Sequence, residues 1–135
     1  MKQEKSCGGI ILRKQNGVTE TLLVKHNKGH WAFAKGHVEG NEKEEETALR
    51  EIKEETGLNV ELDTKFRTTV RYSPREGVEK EVVYFIAYKT DGNETPQLEE
   101  IEQLEWLNLE EAKEQVTYDR DREILLKVQE YLKNN

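Results

Sequence analysis

Apolar residues near the N-terminus come in two short runs that read as strands. One spans Ser6 to Arg13 with a Gly8-Gly9 step, the other Thr21 to His26. Gln15-Asn16-Gly17 between them is a turn signal, so the pair predicts a β-hairpin. Trp31 to Ala34 is a further short apolar segment, expected to lead into a glycine-containing turn through Gly36 and Gly40. From Glu42 to Thr56 the pattern turns helical. Asn41 is placed to cap it, with Glu44 three residues on, and Gly57 stands where a left-handed C-terminal residue belongs. Lys65 to Tyr72 and Glu81 to Lys89 read as strands joined by a loop from Ser73-Pro74 to Gly77, and Leu104 to Leu107 as a short strand. Glu110 to Val116 adds a short helical piece. Asp119 to Leu132 closes the chain as a helix with Ile124, Leu125, Val128 and Leu132 on its apolar side. Strands, an interrupting helix, more strands and a final helix predict a mixed sheet between helices, an α/β or α+β sandwich.

The 135 residues fit one domain, 1–135. Charged residues (36%) outnumber hydrophobic ones (34%), yet the apolar positions cluster enough to form a core. A formal charge of −7 argues against long nucleic acid as a partner. An anionic substrate would need a positive mediator, and a metal cation is the obvious one. The lone cysteine, Cys7, lies in an apolar stretch and reads as a small buried hydrophobe; it excludes an intrachain disulfide. No signal peptide or membrane span is expected, which fits a cytoplasmic protein with no membrane partner, as a monomer or homodimer.

On a helical wheel of Glu42 to Thr56, Ala48, Leu49 and Ile52 share an arc expected to face the core. Glu51, Glu54 and Glu55 fall on the neighbouring arc. Their i, i+3, i+4 spacing brings three carboxylates to one side of one turn, where like charges cost a few tenths of a kcal/mol per pair (about 0.2–0.5). A cation between them reverses that sign, and hard oxygen donors suit magnesium. Manganese is a second possibility.

The stretch Gly36 to Leu58, GHVEGNEKEEETALREIKEETGL, resembles a complete Nudix box. Gly36, Glu42, Arg50, Glu51, Ile52, Glu54, Glu55, Gly57 and Leu58 occupy its specified positions. The resemblance implies an α/β/α sandwich and hydrolysis of a nucleoside diphosphate-linked substrate. It further implies magnesium held by Glu51, Glu54 and Glu55 with help from the Gly36 carbonyl. Arg50 would orient a glutamate of the cluster, and Glu42 would assist directly or through water.

Outside the box, His30 to Glu39 (HWAFAKGHVE), Lys80 to Ala87 (KEVVYFIA) and Leu98 to Ala112 resemble asymmetrical diadenosine tetraphosphate hydrolases, which yield ATP and AMP. That similarity assigns polyphosphate contacts to His30, Lys35 and Lys80. It assigns an adenine clamp to Tyr84 and Tyr118, and to Glu100 a second acidic role that leaves the general base open between Glu55 and Glu100. Two departures touch substrate choice rather than metal ligands: Ala34 stands where the group has proline, and Gly40-Asn41 replaces Pro-Gly. The box alone also allows removal of pyrophosphate from RNA 5′ ends, cleanup of damaged nucleoside triphosphates, or a non-catalytic nucleotide sensor. Three intact carboxylates weigh against the last.

Overall fold

The computed structural model describes residues 1–135. Strand β1 (Lys2–Gln15) turns through Asn16 and Gly17, both at positive φ, into β2 (Val18–His26). Two left-handed residues give the turn whose twist matches its strands, which is why Asn-Gly works here. β3 (Trp31–Ala32) pairs with β2, and β4 (Ala34–His37) pairs antiparallel with Ser6–Gly9 of β1. Gly36 therefore lies in a strand and not in the expected turn, and only Gly40 bends the chain at positive φ.

Helix α1 spans Glu44–Thr56, two residues shorter at its start than the wheel predicted, and begins from Lys43 rather than Asn41. The Glu46 carboxylate accepts the Lys43 N–H at 2.7 Å. Glu42 stays outside because its own carboxylate accepts from Arg50, Thr47 and the Glu39 N–H. Gly57 closes the helix in the left-handed conformation, as expected. β5 (Asn59–Tyr72) and β6 (Val78–Asp91) follow as a long antiparallel pair with an irregularity between Asp63 and Arg67, so β5 begins six residues before its predicted start. Then come β7 (Ile101–Asn108), α2 (Leu109–Gln115) and α3 (Asp119–Lys133).

The sheet runs β3-β2-β1-β6-β5, with β7 on β2 and β1–β6 as its parallel pair. β1 and β6 are buried on both faces, so their side chains alternate between two cores rather than between core and water. Ile10, Leu12, Val82, Tyr84 and Ile86 point to the layer holding α2 and α3, together with Ile124, Leu125 and Val128. Ile11, Ala87, Cys7, Val83 and Phe85 point to α1 through Ala48 and Ile52. Gly9 lets α1 come close: a Cβ there would press on Ile52 and Ala87. Leu49, expected in this core, is 41% exposed. The buried stripe of α1 is Thr47, Ala48, Ile52, Glu55 and Thr56, rotated away from Leu49 so that Glu55 points inward.

Candidate active site

Arg50 organises the acidic side of α1. Its Nε and Nη2 donate to Glu42 at 2.7 and 3.0 Å, its Nη1 donates to Glu51 at 2.6 Å and to Glu54 at 3.3 Å, and Nη2 also reaches the His37 carbonyl. The Arg50 hydrogen bond comes first among the causes that hold Glu42 down to about 2. Glu42 is thus the bidentate partner of the arginine, not a free donor.

Glu55 has a different environment. It is 2% exposed, and its Oε1 accepts the Lys35 N–H at 3.2 Å. Burial, then the charge of Glu51, pushes its carboxyl up to about 8. Burial also raises Glu51, although Arg50 opposes the shift. Gly36 faces this pair from β4, and a Cβ at Gly36 would run into the Glu51 carboxylate. The strict need for glycine here is closeness to Glu51, not backbone freedom.

Two cavities meet beside these acids. One, about 430 Å³, is lined by Glu55, Gly36, Glu100, Lys80, Lys35, His30, His26 and their neighbours. The β1–β4 pairing and the β2–β3 loop bring Lys35 and His30 here, while β6 supplies Lys80. Burial, then the nearby Lys35 charge, lowers Lys80 to about 8. His30 stacks on His26 at 4.3 Å with the rings 10° apart. Burial brings His26 down to about 4, and its Nε2 has no hydrogen-bond partner.

The second cavity, about 330 Å³, is lined by Tyr72, Tyr84, Tyr118, Arg120 and Asp121 among others, and shares His30 and Lys35 with the first. Tyr84 does not offer the expected stacking face. It is 1% exposed, with its ring edge-on to Phe33 at 5.5 Å. The aromatic partner across from Tyr118 is Tyr72. The Arg120 guanidinium lies 3.8 Å from the Tyr72 ring and 4.2 Å from the Tyr118 ring, so one planar group contacts both faces. Tyr72, Arg120, Asp121 and His26 were absent from the sequence-level candidates. The only available signal was the Tyr-Asp-Arg-Asp run opening α3. Arg71 and Arg75, by contrast, pair with Glu81 and Glu4 on the surface.

The donor chemistry fits a hard divalent cation. Burial, helped by the charges of neighbouring carboxylates, drives Glu51 and Glu55 toward protonation, and Gly36 is packed against Glu51. No three side chains form a ready-made cage, because Arg50 draws Glu51 and Glu54 to itself. An open arrangement of this kind suits an ion that keeps waters and takes phosphate oxygens as further ligands.

Residues 3–128 match the NUDIX domain family. The chain is 38% identical over 120 residues to the asymmetrical bis(5′-nucleosyl)-tetraphosphatase of Mus musculus, covering 80% of this chain and 81% of that one. To the protein of the same name from Caenorhabditis elegans it is 30% identical over 133 residues, 95% of this chain and 96% of that one. A crystal structure of a C. elegans Ap4A hydrolase binary complex matches the fold with a TM-score of 0.89 at 28% identity, covering 98% of this chain and 99% of the other.

Proposed function

The chain belongs to the NUDIX domain family, whose hydrolases generally use divalent metal ions, and from that premise we propose that it hydrolyses diadenosine tetraphosphate to ATP and AMP with magnesium. One observation carries the reading: a base-sized aromatic cavity and an acid-and-cation cavity adjoin and share His30 and Lys35. A nucleoside seated in the first has its phosphates delivered to the second.

The residues divide the work. One adenine enters between Tyr72 and Tyr118, taking the place of the planar Arg120 group; stacking on aromatic faces is worth about 1–3 kcal/mol per base. His30, Lys35 and Lys80 donate to phosphate oxygens and offset charge that an acidic protein otherwise repels. Gly36, Glu51, Glu54 and Glu55 hold magnesium, which when bound neutralises phosphate oxygens and makes water more acidic. Arg50 keeps Glu51 and Glu54 oriented. Glu55, or Glu100 across the cavity, takes the proton of the attacking water. The water oxygen bonds to the phosphorus next to one adenosine, the bridging P–O bond breaks, and ATP leaves while AMP retains the new oxygen. Positioning and fixed electrostatics supply most of the acceleration.

The test is product analysis in ¹⁸O-water with magnesium and diadenosine tetraphosphate. Equimolar ATP and AMP with the label in AMP is the expected result. Two ADP, or label in ATP, would overturn the proposed register, and cleavage only of other nucleotides would overturn the substrate.

A further inference from the structure

Ser6 is 0% exposed, and its hydroxyl oxygen has no hydrogen-bond partner. It lies on β1 in register with His37 of β4 and Val82 of β6. Residues in register share a face of the sheet, and side chains alternate between faces along each strand. Two residues earlier on β4 and on β6, the same face therefore carries Lys35 and Lys80. All three line the cavity that holds Glu55 and Glu100. Packing does not account for a hydroxyl here. Alanine would fill nearly the same space without the cost of an unpaired buried hydroxyl.

The lysines indicate what the missing partner is. Neither is in an ion pair; Glu4, in register with Lys80, is bonded instead to Arg75 at 2.7 Å. Burial and the neighbouring Lys35 charge already weigh against the charge on Lys80. Two unpaired cations beside an unpaired donor form a set that an anion completes.

We propose that the Ser6 hydroxyl is a substrate-binding donor that holds the part of the polyphosphate beyond the phosphate nearest the seated base. This rests on the nucleotide reading above and deepens it. His30 and Lys35 line both cavities, so they meet the first phosphate; Ser6 and Lys80 line only the second, so they meet those that follow. A serine hydroxyl has one proton to donate and can rotate to aim it, and a bond to a charged oxygen is stronger than one to a neutral acceptor. In the free protein the oxygen is closed off from solvent. A phosphate that draws both lysine heads to itself uncovers it.

The variant Ser6→Ala separates this role from a packing role. Removing a hydroxyl that has no partner should leave the melting temperature of the substrate-free protein unchanged or raised. The KM for diadenosine tetraphosphate should nevertheless rise about tenfold with kcat changed by no more than about twofold, as for a contact made equally in the ground and transition states. Calorimetric titration of the metal-free protein should show ATP weakened by a similar factor and AMP unaffected, because AMP has no phosphate beyond the first. An unchanged KM and ATP affinity, an equal loss for ATP and AMP, or a lowered melting temperature overturns the proposal. If the wild type does not cleave diadenosine tetraphosphate, the tetraphosphate reading alone falls and the ATP and AMP titrations decide on Ser6. A wild type that binds no ATP overturns both.

Discussion

Among single residues, Glu55 separates an enzyme from a sensor. Its carboxylate is the buried member of the acidic group. Glu55→Gln keeps the shape and the Lys35 N–H acceptor but cannot take a proton. Turnover of diadenosine tetraphosphate should fall by about 10²–10⁴-fold, the usual contribution of a general base, with the circular dichroism spectrum unchanged. Retained turnover would instead point to Glu100 as the base, and nucleotide binding without turnover in the wild type would point to a sensor. The three glutamates were legible in the sequence because their spacing is local: i, i+3, i+4 puts them on one side of any helix. Tyr84 was not. Several tyrosines lie near this region, and packing against Phe33, far away in sequence, decides which of them shows a face. Tyr72 shows one because it ends β5 at the cavity mouth.

For elements, the telling case is the rotation of α1. Hydrophobicity alone aims Ala48, Leu49 and Ile52 at the core, yet the sheet receives Ala48, Ile52 and Glu55. Ile52 is fully buried and Leu49 is 41% exposed. Ile52→Ala should therefore destabilise by about 2–5 kcal/mol, and Leu49→Ala by no more than about 0.5 kcal/mol, read from urea-unfolding midpoints. Equal losses would mean that α1 sits as the wheel suggested. The helix start follows the same logic. Asn41 is the better cap by residue type, but Glu42 is engaged by Arg50, so the first helical turn begins later. The period of a pattern fixes that a helix forms, while its rotation and first residue depend on partners outside it.

At the scale of the whole molecule, the buried charges link stability to pH. In the metal-free fold Glu55 keeps a proton up to about 8, whereas the unfolded chain releases it near the ordinary 4.5. The folded state binds more protons in between, so stability falls as pH rises through that interval. His26, lowered to about 4, acts with the opposite sign, but its contribution is complete above the ordinary 6.5, and that of Lys80 begins only above about 8. From pH 6.5 to 8 the metal-free melting temperature should therefore decline. Magnesium or Glu55→Gln should flatten the decline; an unchanged slope in Glu55→Gln would remove Glu55 as its source. By itself the sequence determined the helices, most strands, the Asn16-Gly17 hairpin and the gathering of Glu51, Glu54 and Glu55 on one helix, because each depends on residues within about two turns or one hairpin. Only the tertiary structure decided the rest. The parallel β1–β6 pairing sets Gly8 beside Tyr84, the β1–β4 pairing carries Lys35 to both cavities, and the start of α3 brings Arg120 over Tyr72 and Asp121 to the same cavity. Those contacts join segments tens of residues apart, and no local pattern of apolar and polar positions encodes which distant strand a residue will meet.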